Sequence, residues 1–170
     1  MGLGDSIRKF IKDNITNQLD ETRNNVKKLS GAMRKGGANN QANEADELLK
    51  KIDTIKNTKN QLINLKKQVD GFLSRAEAAK KAAEKLREAN TVASALNPAA
   101  AAITLVQEKL ITKAQDEIKD LGSAVDIVDP TVEEIDMATK DMEGELNKAK
   151  KDQEDIKENE KNRNEMLGRS

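Results

Sequence analysis

The chain has 170 residues, and its 30 basic and 30 acidic side chains give a formal net charge of zero. Cysteine, histidine, tryptophan and tyrosine are absent. This composition excludes disulfides, thiolate and imidazole chemistry, zinc sites built on cysteine or histidine, and aromatic platforms for stacking bases. Nonspecific binding to phosphates needs an excess of basic groups, so we expect no nucleic-acid partner.

The aliphatic content is low but sufficient for helices. Only 36 of the 170 residues are Leu, Ile, Val or Phe, which is near the level typical of disordered chains. Disorder usually also requires a high net charge, and this chain has none. Long helices can order such a sequence, because each buries one narrow apolar stripe and keeps its charged flanks in water. We therefore predict an all-α protein, an elongated helical hairpin or coiled-coil bundle.

Three breaks divide the chain. Residues 35–40 are rich in glycine and asparagine, while Pro98 and Pro130 each follow a residue that favours a helix start. Proline fits the first turn of a helix, where its missing N–H costs nothing. The breaks predict one domain over residues 1–170, with about four helices over 5–34, 43–96, 98–128 and 130–167.

Two local details of these helices are also predicted. Asp5 is a candidate N-cap of the first helix, because its side chain can accept a hydrogen bond from a free backbone N–H. Residues 125–128 are rich in β-branched side chains, which leaves open a short extended connector in place of helix.

The very long second helix carries a heptad pattern. Its apolar residues recur every seven positions, with further apolar residues three or four positions along, as in the seam of a left-handed coiled coil. At about 1.5 Å per residue the helix would reach roughly 80 Å, too long for a compact bundle of this mass. Its predicted packing or partner seam consists of Leu48, Ile55, Leu62, Leu65, Val69, Phe72 and Leu86.

The fourth helix alternates steps of three and four residues without interruption. Its seam is Val132, Ile135, Thr139, Met142, Leu146, Ala149, Gln153 and Ile156. The same positions then carry Glu160 and Arg163, so we expect the polar tail 157–170 to leave the core or to meet another subunit. The first helix begins differently, with Ile7, Ile11 and Ile15 at spacing four, which predicts local unwinding of the supercoil.

The two parts of the chain carry opposite net charges. Residues 1–97 carry 19 basic and 12 acidic side chains, whereas residues 98–170 carry 11 and 18. The resulting net charges of +7 and −7 favour pairing between the two parts. Pairing within one chain is the preferred interpretation, and pairing between copies is the alternative.

The sequence offers no catalytic site. The remaining acid–base groups are carboxylates and lysines at mostly exposed helical positions, and no phosphate loop, nucleophile elbow or calcium loop is present. Gly36 and Gly37 lack the lysine and the strand of a phosphate loop. We therefore predict a protein that is not an enzyme, with no catalytic, cofactor-binding or metal-binding residues.

Residues 89–106 form a stretch without charge. The preferred interpretation is a helical turn at which small alanines allow close packing or subunit contact. The alternative is a hairpin that inserts into a membrane, although a spanning helix needs about 20 uninterrupted apolar residues. The candidate contact residues in this stretch are Leu96, Ala102 and Ile103.

The amino-terminal helix is a second candidate for membrane or subunit contact. Ile7, Phe10 and Ile11 lie on one face beside Arg8 and Lys9, as in helices that lie on acidic membranes. Residues 1–6 also fit the short myristoylation pattern. The preferred interpretation is the first helix of a bundle. Because residues 1–15 are charged and amphipathic, we expect no secretory signal, and a cytoplasmic or virion location stays open.

Together these patterns predict a structural, scaffold or adaptor protein that contributes coiled-coil contacts to a larger, symmetric assembly. Its seams are longer than an 18.7 kDa globule can bury by itself, so its partners would be other proteins or copies of the same chain. A bacteriophage tail, baseplate or internal scaffold is an assembly of this kind. The alternatives are a membrane-active helical protein and a regulatory adaptor that recruits one partner helix.

Overall fold

The computed structural model describes residues 2–36, 41–94 and 98–168, without the side chains of residues 90–102 and 104. Throughout these described residues the secondary structure is helical, and it includes no strand. The prediction of an all-α protein is therefore confirmed.

The helices follow the predicted order. They are α1 (Leu3–Ile11), a π-helical turn (Lys12–Thr16), α2 (Asn17–Arg34), α3 (Gln41–Ser94), α4 (Pro98–Asp126) and α5 (Val128–Met166). The first predicted helix corresponds to α1, the π-helical turn and α2 in succession. The very long second helix is α3, which has 54 residues.

Three details of the helix ends differ from or refine the predictions. Helix α1 begins at Leu3, so Asp5 lies inside its first turn instead of capping it, where its negative charge still favours the helix dipole. Pro98 opens α4 as predicted, whereas α5 begins two residues before Pro130. The extended alternative for residues 125–128 is wrong, because Ile127 alone separates α4 from α5.

The π-helical turn accounts for the irregular spacing at the start of the chain. An α-helix has 3.6 residues per turn, so apolar residues repeated every four positions drift away from a common face. A π-helical turn contains an extra residue and takes up this drift. Ile7, Ile11, Ile15 and Leu19 are accordingly all buried on either side of the turn or within it.

The chain divides into two compact units. The first unit contains residues 1–9 and 62–130, and the second unit contains residues 10–61 and 131–170. The single domain expected over residues 1–170 stays a prediction.

The second unit has a core built from three apolar stripes. Each of α2, α3 and α5 buries one stripe at heptad spacing, with the π-helical turn continuing the stripe of α2. The buried apolar residues of this unit are Ile11, Ile15, Leu19, Val26, Leu29, Met33, Ala45, Leu48, Ile52, Ile55, Ile135, Ala138, Met142, Leu146 and Ala149.

Polar residues inside this core satisfy their own hydrogen bonds. The Thr139 hydroxyl donates to the carbonyl of Ile135 at 2.7 Å, and the amide of Gln153 donates to Gln41 at 2.9 Å. Buried polar groups are tolerated when they are bonded in this way. The seam of α5 therefore passes through Thr139 and Gln153 without losing its register, and Gln153 also links α5 to α3.

Ion pairs at the edges of the core follow the charge difference between the two parts of the chain. Arg34 binds Glu145 at 2.7 Å and Asp152 at 3.3 Å, and Lys59 binds Asp136 at 2.7 Å. In each pair the basic residue belongs to residues 1–97 and the acidic residue to residues 98–170. Because these groups are partly exposed, they contribute more to the register of the helices than to stability.

Another pair of this kind joins Lys56 to Glu143. The hydrogen bond from Glu143 raises the pKa of Lys56 above its ordinary value. The pair thus favours folding at neutral pH, and its contribution disappears only as the pH rises through the raised pKa of the lysine. The ion pair of Lys150 with Asp46 differs from the others, because its basic residue belongs to residues 98–170 and its acidic residue to residues 1–97.

We predict that Leu146→Ala lowers the free energy of unfolding by about 2–5 kcal/mol, because it removes a fully buried side chain from the core. Met137→Ala is the matched control on α5, since Met137 is exposed, and it should change stability by less than about 0.5 kcal/mol. Urea unfolding followed by circular dichroism measures both. Equal effects of the two substitutions would show that the seam is misassigned.

Candidate functional site

The first unit combines a small core with a large open surface. Its buried apolar residues are Ile7, Leu62, Ile111, Leu121, Ala124, Val125 and Val128. Lys66 of α3 binds Asp129 at 2.8 Å, and this hydrogen bond raises the pKa of Lys66. These contacts hold α3 beside the last turns of α4 and the start of α5. The earlier turns of α4 have no buried apolar residue before Ile111 in the part of the chain that the structure describes.

Hydrogen bonds from Arg8 hold the start of α1 against α4. Arg8 donates hydrogen bonds to the Asp120 carboxylate at 2.9 Å and to the Asp120 carbonyl at 3.2 Å, and it also binds Asp5. The hydrogen bond to the Asp120 carboxylate is the main cause of the raised pKa of Arg8. Gly4 is buried beside Asp120, where a Cβ atom would collide with the aspartate side chain. Glycine therefore permits this close approach of α1 to α4.

An apolar cavity of about 660 Å³ opens beside this contact between α1 and α4. Its walls come from the start of α1, from α3 and from α4. Four alanines, Ala76, Ala79, Ala83 and Ala114, make it wide, because a larger side chain at any of them would fill part of the space. The other residues that line it are Gly2, Leu3, Gly4, Phe72, Lys80, Gln107, Leu110, Ile111, Glu117, Ile118, Asp120 and Leu121.

Large apolar side chains are exposed on α3 and α4, the two helices that line most of the cavity. The exposed fraction is 46% for Phe72, 61% for Leu86, 53% for Ile103, 58% for Val106 and 62% for Leu110. Leu3, which lines the cavity, is also exposed. We call these six residues the apolar face of the first unit. Leu105 is exposed too, but it lies about 140° around α4 from Leu110 and so is not part of this face. Single exposed apolar residues are common in proteins, but a concentration of them beside an apolar cavity is typical of an interaction site.

The structure separates the predicted seam residues into three groups. The buried ones are Leu48, Ile55, Leu62, Ile135, Met142 and Leu146. The half-buried ones are Leu65, Val69, Val132 and Ile156. The exposed ones are Phe72 and Leu86. The two exposed seam residues of α3 both belong to the first unit, which among the described residues has fewer buried apolar ones than the second unit.

The candidate contact residues at the amino terminus do not form a free surface. Ile7 and Ile11 are buried within the chain and Phe10 is half-buried, so Ile7 and Ile11 offer no area to lipid or to a subunit. Ile103 is exposed and belongs to the apolar face. Leu96 and Ala102 lie outside the residues whose side chains the structure describes.

The polar tail behaves differently from the rest of α5. From residue 157 to residue 168 every side chain is exposed, including Met166 and Leu167. The seam ends at Ile156, because the next seam positions, Glu160 and Arg163, are charged. The tail therefore adds nothing to the core of the second unit.

Three important features were missed in the sequence. Ile52 is fully buried, and its place four residues after Leu48 and three before Ile55 is a heptad position that could have identified it. Leu105 is exposed although it lies off the predicted stripe of its helix. The contact of Gly4 with Asp120 joins residues far apart in sequence, and no local pattern indicates it.

Comparisons of the chain with protein-family models, with curated proteins and with solved structures found no match. Among the described residues, no helix combines the length and the apolar character needed to cross a membrane. Within residues 2–36, 41–94 and 98–168, no group of three or more carboxylates is placed to hold a metal ion.

We predict that Gly4→Ala lowers the free energy of unfolding by about 1–3 kcal/mol, because the added methyl group must displace Asp120 and so disturb its pairing with Arg8. Gly31→Ala is the matched control. Gly31 lies in α2 with open space around its Cβ position, so alanine should stabilise the helix by about 0.5–1 kcal/mol. Thermal unfolding measures both changes, and a destabilising effect of both would count against a specific contact at Gly4.

Proposed function

We propose that the protein is a non-enzymatic structural component that joins a larger assembly through the apolar face of the first unit. The observation that carries this proposal is the exposure of Phe72, Leu86, Ile103, Val106 and Leu110 on the two helices that line an apolar cavity. Burying a large aliphatic or aromatic side chain contributes about 1.5–3 kcal/mol. A partner that covers this face therefore gains more than one that covers the charged surface elsewhere.

The spacing of the apolar face favours a helical partner. Ile103, Val106 and Leu110 lie at positions i, i+3 and i+7 of α4, which is the pattern of a helix that seats against another helix. On α3, Phe72 and Leu86 are fourteen residues apart, or two heptads. Both helices thus carry apolar stripes with the spacing against which a coiled-coil partner helix packs.

The chemistry of the cavity favours binding over catalysis. Its charged lining residues are Lys80, Glu117 and Asp120, and Asp120 is engaged by Arg8. General acid–base catalysis needs an acid or base within hydrogen-bond reach of the proton that it transfers. The cavity instead surrounds a few charges with alanine, leucine and isoleucine, which is the composition of a packing surface.

The assembly that suits such a component is one with many copies of its parts. A bacteriophage tail, baseplate or internal scaffold is of this kind, and in it the helices would act as spacers and contacts. The partners are then other proteins of the particle or further copies of this chain. A lipid surface is the competing partner, since Ile103, Leu105 and Val106 are exposed residues of the uncharged stretch 89–106.

We predict that Leu110→Asp abolishes incorporation of the protein into its native assembly, because it places a charge in the middle of the apolar face. Met137→Asp is the matched control, since it puts the same charge on an exposed apolar position of the second unit. Tagged wild-type and variant proteins are expressed in the organism that makes the chain, and complexes are sized by sedimentation. The wild type and Met137→Asp should sediment in large complexes, and Leu110→Asp as the free chain.

Two results would contradict this proposal. Wild-type protein that sediments as a free 18.7 kDa chain would show that there is no assembly, and normal incorporation of Leu110→Asp would show that another surface is used. Flotation of the purified protein with vesicles of acidic phospholipid tests the competing partner. Binding that is lost in Leu110→Asp and kept in Met137→Asp would assign the apolar face to lipid.

A further inference from the structure

Three charged side chains line the apolar cavity, and one of them, Asp120, is already bound by Arg8. The other two, Lys80 and Glu117, have opposite signs. Lys80 belongs to α3 and Glu117 to α4, so the charges come from different walls. The Lys80 ammonium lies 3.9 Å from the Glu84 carboxylate, which is at the outer limit of an ion pair. Lys80 is half-buried and Glu117 is exposed, so a partner can reach both charges. We call Lys80 and Glu117 the rim residues of the cavity.

We propose that the apolar face of the first unit binds the same face of a second copy of this chain. The two copies are related by a two-fold axis that places Lys80 of each copy opposite Glu117 of the other. This inference rests on the proposed function, because it uses the same surface, and it specifies the occupant and the charges that select it.

Charge favours a second copy over a partner of one dominant sign. The first unit carries 12 basic and 11 acidic side chains over residues 1–9 and 62–130, so its net charge is +1. Two such units repel each other little, whereas their mixed charges offer no field that steers a strongly acidic or basic partner. A surface with one positive and one negative wall is complementary to itself once it is turned by a two-fold rotation.

The shape of the face is also self-complementary. The alanines of the cavity leave a hollow, while Leu86, Ile103 and Val106, on the same two helices, are exposed and do not line it. Each copy thus has both a hollow and the apolar side chains to fill one. In an isologous contact the hollow of either copy receives the projecting residues of the other, so a single geometry covers both.

The seam of α3 continues into this face. Leu62 is buried, Leu65 and Val69 are half-buried, and Phe72 is exposed further along the same heptad stripe. Earlier along α3, Leu48 and Ile55 share the core of the second unit with the heptad stripes of α2 and α5. A second copy supplies a helix of the same period, because it brings another α3 and another α4.

Charge reversal at the two rim residues tests this arrangement. In Lys80→Glu alone, every copy presents acidic groups at both rim positions, and in Glu117→Lys alone, basic groups at both. Each single variant should therefore dimerise about tenfold or more weakly than the wild type. An equimolar mixture of the two variants should recover dimerisation, because each variant now presents to the other the charge that it lacks.

The measurement is sedimentation equilibrium of the full chain, combined with capture of one tagged variant by the other to show that the recovered dimers are mixed. Lys148→Glu is the matched control, because it makes the same charge change at an exposed position of the second unit and should leave dimerisation unchanged. Circular dichroism verifies that all variants keep the helix content of the wild type.

Several outcomes would overturn the inference. The first is a wild-type chain that stays monomeric up to roughly 100 μM, a concentration at which a moderately strong dimer is formed. The second is normal dimerisation of the single variants. The third is a mixture of the two variants that does not recover dimerisation. If the chain is monomeric but Leu110→Asp still blocks its incorporation into the native assembly, the second copy is wrong and the proposed function stands. If Leu110→Asp is incorporated normally, both fail. If the chain is monomeric and binds vesicles, the occupant of the apolar face is lipid and not a second copy.

Discussion

The burial of one narrow apolar stripe on each helix is the interaction on which the rest of this structure depends. With 36 large aliphatic and phenylalanine residues in 170, the chain has few apolar groups beyond those that the stripes use. In the second unit three stripes cover one another, and polar members such as Thr139 and Gln153 find hydrogen-bond partners there. In the first unit the same kind of stripe is left partly uncovered, and the proposed function follows from that difference.

Charge has a supporting role. The ion pairs of Arg34, Lys59 and Lys66 with acidic residues from the later part of the chain match the opposite net charges of the two parts. Such exposed pairs contribute little to the free energy of unfolding, but they penalise helices that slip in register. In the dimer that we propose, the charges of Lys80 and Glu117 have the same role: they select the partner, while apolar burial supplies most of the binding energy.

Much of the fold was predictable from local pattern. The heptad steps of α5 identify Ile135, Met142 and Leu146 as buried, and the spacing of the early isoleucines indicates the irregular turn that the structure shows as π-helical. The site was less predictable. A heptad pattern says which face of a helix is apolar, but not what covers it, so Phe72 and Leu86 gave the same signal as Leu62. The Gly4 contact depends on tertiary approach, which leaves no periodic trace in the sequence.

Hydrogen–deuterium exchange tests most directly whether another helical chain covers the apolar face. The full-length protein is compared when dilute and free and when held in its native assembly. Covered helices open less often, so backbone amides around residues 72–86 and 103–110 should exchange more slowly in the assembly, while those of the second unit's core change little. Equal exchange of both segments in the two states, with slower exchange elsewhere, would contradict the account.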